Sequence, residues 1–346
     1  MESLDTILRV GRAVDALRRG SGVRILNDGN AWVLFATEFL DAPLFDRIKA
    51  GATLLFTRIR AESLGLVAST PAVSVTASNL SFAQTKSIAD PTLPTETLPK
   101  LTLVPADELL VQLVKYASLL PSVLIVPARE EDSALPALAL ADLRAYAAAP
   151  LPPIIETAGA SLPIQGAEHC RITSYRAAYA TSTHLLLTVG DPANVRAPLT
   201  RVHSSCITGD ILGSLRCDCG DQLKLALDTI KTEGAGLLIY LHQEGRGIGI
   251  TNKLRAYKLQ EMGVDTYEAN RLLGYDEDER DFAIAAAIFK KAGHGAVRLL
   301  TNNPAKLAKL AAHGITVTER VPLIAPASAH SHAYIEAKGK KAGHLF

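Results

Sequence analysis

The chain has 346 residues, a formal net charge of +1 and 48% hydrophobic residues. This length suits roughly two domains. The apolar fraction excludes wholesale disorder, and the near-neutral charge excludes a protein built to coat nucleic acid.

Four cysteines, three of them closely spaced, fit a reducing compartment better than a disulfide scaffold. The opening MESLDTILRV lacks the basic region and apolar run of a secretion signal, and no apolar stretch is long enough to cross a bilayer. A cytoplasmic protein without a membrane or nucleic-acid partner is expected.

In chain order, Ile7, Val10, Val14 and Leu17 form one apolar helix face, stopped by Gly20 and Gly22. Val23 to Leu26 and Trp32 to Ala36 read as strands around an Asp28-Gly29 turn. Ala52 to Thr57 reads as a strand after a short helix, Pro121 to Val126 as a buried strand, and Leu138 to Tyr146 as a closing helix. Ala147 to Pro163 is rich in proline and small residues; it predicts a linker and places the domain boundary near Pro150, giving domains 1–149 and 150–346.

All nine histidines and all four cysteines fall from His169 onward. Cys170–Tyr175, His184–Val189 and Ala197–Val202 predict short strands of a small antiparallel sheet. The stretch RVHSSCITGDILGSLRCDCGDQ, Arg201 to Gln222, then brings Cys206, Cys217 and Cys219 close in sequence. Soft thiolates are preferred zinc ligands, and a three-ligand site leaves a position for water. Spacing alone leaves a catalytic zinc and a closed structural zinc both open, the latter with Cys170 or His203 as fourth ligand.

Asp221 is read as the cap of a helix with Leu223, Ala226, Leu227 and Ile230 on one face, ended by Gly234. Gly236–Leu241 is a buried strand running into HQEGRGIG; Asn252 occupies the third glycine position of a dinucleotide fingerprint, which excludes that motif. A glycine-rich strand-to-helix turn still offers backbone N–H groups to an anion. A helix spans Thr251–Met262, and YDEDERDF is expected to open another with its acids in the first turn. Val297–Thr301 is a strand, and TNNPAKL turns into a helix with an anion-binding character. The basic tail SHAYIEAKGKKAGHLF has no legible role.

SLGL (Ser63–Leu66), VSVTA (Val73–Ala77), KSIADP (Lys86–Pro91) and LADLRAY (Leu140–Tyr146) resemble 3,4-dihydroxy-2-butanone 4-phosphate synthase. That family's lyase uses an acidic loop and a histidine to hold magnesium, whereas this chain has LNDGN at the loop and no histidine in the domain. The resemblance implies a degenerate, non-catalytic N-terminal α/β domain.

RVHS-x-C, TGD, LRCDCG-x-QL, QEGRGIG, NKLRAY, EAN, DERDF, LLTNNP-x-K and ERVPL, in that order, resemble GTP cyclohydrolase II. The resemblance implies a mixed α/β zinc domain, so the whole chain is expected to be α/β (α+β) with two domains. It implies hydrolysis of GTP to a diaminopyrimidine ribosylamine phosphate, formate and pyrophosphate, on the route to riboflavin. Cys206, Cys217 and Cys219 match the ligands of one Zn2+ per chain, completed by water. Tyr257, Asp278 and Arg280 match catalytic positions: Tyr257 at the opening ring, Asp278 and Arg280 as base and nucleophile of the phosphate half-reaction. Arg201, Gln222, Glu244, Gly245, Arg246, Thr266, Thr301 and Lys306 match positions that hold GTP, with Mg2+ on its phosphates. A homodimer is expected from the same resemblance. Ser205 stands where the family usually carries glutamate, which motivates a related hydrolase of another nucleotide as the alternative. A third reading is a non-enzymatic regulator stabilised by zinc.

Overall fold

A computed structural model describes residues 2–178 and 180–324; the basic tail and its sequence reading lie outside the described residues. The chain forms two compact units, Met1–Ala149 with Ile248–Glu279, and Pro150–Gly247 with the segment from Arg280 onward.

The first 149 residues run α1 (Glu2–Arg18), β1 (Val23–Asn27), β2 (Asn30–Ala36), α2 (Ala42–Ile48), β3 (Thr53–Thr57), α3 (Arg58–Ser63), β4 (Ala72–Thr76), α4 (Phe82–Ala89), β5 (Val104–Ala106), α5 (Glu108–Tyr116), β6 (Ser122–Pro127), β7 (Ala137–Ala139) and α6 (Leu140–Ala148). Residues Leu138 and Ala139, expected to begin the closing helix, instead end a short strand paired in parallel with β1. The sheet order is β5-β4-β3-β6-β2-β1-β7. Asp28 (φ 47°) and Gly29 (φ 81°) make the two-residue turn of the β1–β2 hairpin, as the Asp-Gly pair predicts. Alternation along the strands sends Leu34 and Leu55 into a core with Val10 and Leu17, and Leu54 and Phe56 into one with Phe45 and Ile88. Helices therefore cover both faces of the sheet.

The second unit begins with β8 (Ile154–Ser161), β9 (Cys170–Ala177), β10 (His184–Val189), β11 (Leu199–Ser204), α7 (Ile207–Asp210), α8 (Cys219–Glu233) and β12 (Gly236–Leu241). β8 corrects the linker reading of this stretch. Among the described residues it is an edge strand paired only with β9, and it is mostly exposed, which is where a sequence flanked by Pro152, Pro153 and Pro163 can still make a ladder. α8 starts at Cys219, with Asp218 rather than Asp221 at its cap position, and ends at the left-handed Gly234 (φ 82°).

The chain next forms α9 (Ile250–Glu261) and α10 (Thr266–Leu272), both in the first unit, around a core of Leu120, Ala256, Leu259, Leu273 and Tyr275. Residues 275–282 are irregular, so Asp276, Glu277 and Asp278 do not cap a helix as the sequence suggested; α11 (Ala283–Lys291) begins only after Phe282. β13 (Ala296–Leu300), α12 (Pro304–Ala312) and β14 (Thr316–Val321) complete the second unit.

Its sheet has the order β14-β13-β11-β12-β10-β9-β8. The antiparallel sheet expected from the sequence is realised for the Cys170–Tyr175 and His184–Val189 strands, in β12-β10-β9-β8, but not for Ala197–Val202: that strand, β11, lies in a parallel half made of β14, β13, β11 and β12. Crossover helices such as α8 between β11 and β12 impose the parallel half. Among the described residues no helix is long and apolar enough to cross a membrane.

Candidate active site

The carboxyl end of β11 delivers Cys206, which caps α7 and accepts from Gly209 N at 3.3 Å through its sulfur. Cys217 sits on the loop before α8, and Cys219 opens that helix. The three sulfurs lie within 4.8 Å of one another, with Cys206 and Cys217 3.6 Å apart. Gly209 and Gly220 permit this approach. A Cβ on Gly209 would lie 3.0 Å from the Cys217 sulfur, and one on Gly220 2.3 Å from Gly209 O.

A tetrahedral zinc with sulfur at roughly 2.3 Å places its sulfurs roughly 3.8 Å apart, so this spacing fits the metal. Sharing protons with Cys206 pushes the Cys217 thiol up, and the same crowding, with burial, pushes Cys219 well up. Three such sulfurs become thiolates together only beside a cation. Neither Cys170 nor His203 joins the cluster, and among the described residues no fourth His, Cys, Asp or Glu does. The fourth-ligand alternatives raised by the spacing are therefore not realised.

Asp210 ties the first ligand down. Its carboxylate accepts from Cys206 N at 3.0 Å, from the Tyr240 hydroxyl at 2.8 Å and from His203 Nε2 at 3.0 Å. Burial lowers the His203 pKa despite this partner, so the ring is neutral and donates from Nε2. It stacks on Tyr240 with centroids 5.5 Å apart. Asp210→Asn is expected to weaken metal affinity about 10- to 100-fold, the usual effect of losing a group that orients a ligand. A competition titration with a chelator checks this; unchanged affinity removes Asp210 from the site.

Arg201, on β11, is buried and lowered to about 10 by desolvation, so it remains charged at neutral pH. It donates to Leu300 O at 2.9 Å and to Gln222 Oε1 at 2.7 Å, and Gln222 in turn donates to Asp218 Oδ2 at 2.6 Å. Among the described residues, Arg201 Nε has no hydrogen-bond partner, nor has Gln243 Oε1. An unsatisfied buried donor costs about 1–3 kcal/mol, a cost that a bound polar ligand would remove.

Glu244 Oε2 accepts from Ile207 N at 2.7 Å and Oε1 from Gly245 N at 3.1 Å, so this carboxylate clamps the start of α7. Gly245 (φ 64°) and Arg246 (φ 62°) are both left-handed; for a non-glycine residue that conformation costs about 1 kcal/mol and is characteristic of functional turns.

Lys306 on α12 is buried, with Nζ 3.2 Å from Val202 O and 5.9 Å from the Phe282 ring centroid. Arg280 is 5.5 Å from the same ring. Thr301 is buried, its hydroxyl accepting from Asn303 N at 3.0 Å, while Asn302 bonds both ways with Leu323. Much of the polar inventory of that turn is spent on the fold itself.

The second unit thus gathers the cysteines, Arg201, Gln222, Glu244, Gly245, Arg246, Arg280, Thr301 and Lys306. Tyr257, Thr266 and Asp278 belong to the first unit. Tyr257 is half-buried on α9, with Lys253 Nζ 5.8 Å from its ring centroid. Asp278 is half-buried in the irregular loop, and Thr266 opens α10 with its side chain outside the described residues. Sequence reading did not single out Asp210, Tyr240 or Asp218. Only the aspartate of TGD carried a trace of the first, as part of a motif.

The GTP cyclohydrolase II family profile matches residues 156–322. The GTP cyclohydrolase-2 of Azospirillum brasilense is 38% identical over 363 residues, covering 97% of this chain and 94% of that one. The riboflavin biosynthesis protein RibBA of Bacillus mycoides is 54% identical over 162 residues, which is 47% of this chain and 41% of that protein. The crystal structure of RibBX, a two-domain 3,4-dihydroxy-2-butanone 4-phosphate synthase from A. baumannii, aligns over 92% of this chain at 16% identity and a TM-score of 0.33, a likeness too loose to carry an argument. The near-complete coverage of the Azospirillum relative, with the profile match around the three-cysteine cluster, shows that this chain belongs to the GTP cyclohydrolase II family.

Proposed function

We propose that the protein opens the imidazole ring of GTP and releases formate and pyrophosphate, with Cys206, Cys217 and Cys219 as the ligands of a catalytic zinc. The observation that carries this reading is the convergence of three sulfurs, with no fourth protein ligand among the described residues. When bound, zinc at such a site is a Lewis acid that makes water a usable nucleophile near neutral pH.

The protein's own groups have distinct tasks in this reading. Asp210, through Cys206 N, fixes the loop bearing the first ligand. Arg201 presents a permanent buried charge, held at two of its nitrogens by Leu300 and Gln222. Such a preorganised cation suits a highly charged nucleotide, because no reorganisation is needed when it binds. Arg246 and Lys306 add cationic groups for the triphosphate, with magnesium neutralising the remainder. Tyr257 orients or protonates the opening ring. Asp278 acts as base and Arg280 as nucleophile at the phosphate end. Water is the co-reactant at both the ring and the phosphate.

The first 149 residues keep the synthase-like fold without the lyase. The two-residue turn at Asp28-Gly29 offers one carboxylate where a hard cation needs several oxygens. A homodimer and a cytoplasmic location complete the proposal.

Zinc-loaded protein incubated with GTP and magnesium is expected to yield formate and pyrophosphate. No formate, under conditions where a known GTP cyclohydrolase II is active, overturns the reading. A nucleotide panel run alongside addresses Ser205, whose hydroxyl is buried and has no hydrogen-bond partner among the described residues. Preference for another nucleotide would assign this position to base selection.

A further inference from the structure

The family profile spans residues 156–322, yet Ile248–Glu279 within it folds as part of the unit formed by Met1–Ala149. Specific polar contacts fasten it there. Arg255 on α9 donates from Nε to Asp90 at 2.9 Å and pairs with Glu38 at 3.1 Å, all three side chains being 18% exposed or less. Asn252 Nδ2 donates to Ser118 O at 2.9 Å. Past α9, Arg60 donates to Leu272 O at 2.9 Å and Thr57 to Gly274 O at 2.8 Å. Gly274 is left-handed at φ +86°, and a Cβ there would lie 2.9 Å from Thr57 Oγ1. The buried Tyr275 hydroxyl donates to Leu119 O, and Lys115 pairs with Glu279 at 2.6 Å, at 12% and 17% exposure.

We infer that residues 1–149 serve the cyclohydrolase as the seat of its tyrosine helix and its 275–279 loop, with Glu38 and Asp90 as positioning residues for Tyr257. The inference rests on the catalytic reading of Tyr257 and Asp278 given above. Each of these residues lies within three positions of one anchored to the first 149: Arg255 before Tyr257, and Tyr275 and Glu279 around Asp278. Both carboxylates under Arg255 are themselves held. Glu38 Oε2 accepts from Leu120 N at 3.1 Å, and Asp90 Oδ1 from Thr92 N at 2.9 Å. A largely buried, multiply bonded ion pair fixes geometry far better than a solvated one, and small misplacements of catalytic groups cost large factors in rate. A domain without its own chemistry thereby acquires a role in its neighbour's reaction.

The test uses the full-length Glu38→Gln/Asp90→Asn double variant, in which the amide oxygen introduced by Asp90→Asn still accepts from Thr92. Amide exchange across 250–261 is expected to accelerate about tenfold or more, while 236–241 is unchanged. The kcat for formate release is expected to fall about ten- to a hundredfold, with zinc content and KM for GTP nearly constant. Asp90→Glu, alone, is expected to restore most of the rate. Unchanged exchange in α9, or faster exchange with unchanged kcat, overturns the inference. If the double variant does not melt cooperatively, Lys115→Met supplies the same comparison, with exchange read over 275–279. Should the parent protein turn over no GTP, the catalytic reading fails by itself, and the exchange data still decide whether the seat exists.

Discussion

Cys217→Ser is expected to lose its metal and with it all measurable formate release. Serine places a neutral hydroxyl where a thiolate is needed, and only two soft ligands remain. The Cys206–Cys217 separation of 3.6 Å, and the contact both sulfurs would make with a Cβ at Gly209, show how tightly the cluster is assembled. Metal affinity depends on all ligands acting together, so loss of one is expected to cut zinc content about tenfold or more after dialysis, and the rate by about 10³ or more. Elemental analysis and a formate assay on the same sample check both. A variant that keeps stoichiometric metal and full turnover would show that the cluster is not the site. Thermal stability is also expected to drop, because a metal held by these sulfurs would link the end of β11 to the start of α8 and bind only the folded chain.

Tyr257→Phe is expected to separate chemistry from structure. The change removes one hydroxyl from a half-buried ring on α9 and leaves the apolar body of the side chain in place. Zinc content, melting temperature and GTP affinity are expected to stay near those of the parent. The kcat is expected to fall by about 10² to 10⁴, the range for loss of a general acid–base group. A kcat within twofold of the parent would show that the Tyr257 hydroxyl has no role in turnover. Together with Cys217→Ser this gives a clear contrast: one variant loses metal and rate, the other rate alone.

Local rules carried much of the fold. Asp28-Gly29 determines its hairpin because few other pairs accept two positive φ angles, and Gly234 ends α8 for the same steric reason. The cysteine cluster was legible because ligand type and spacing are chemical facts about the chain. Other features were not. β8 hid in a proline-rich stretch because an edge strand needs only one partner, and that partner, β9, is chosen in three dimensions. Asp276 to Asp278 satisfied the composition of a helix start, yet the chain there stays irregular, with Tyr275 and Glu279 on either side drawn to Leu119 and Lys115.

The sequence by itself therefore determined the three-cysteine cluster, the family, and most strands and helices, since each follows from residue type at short spacing. Tertiary structure alone decided that Asp210 and Tyr240 brace Cys206, that Glu244 closes over α7, and that Ile248–Glu279 joins the first 149 residues. Apart from the bond between Cys206 and Asp210, four positions apart, these are pairings between residues 30 to more than 160 positions apart, such as Tyr240 with Asp210 and Arg255 with Asp90. Hydrogen bonds and ion pairs of this kind leave no periodic trace in the chain, because they depend on where the folded backbone brings two side chains rather than on what either residue is.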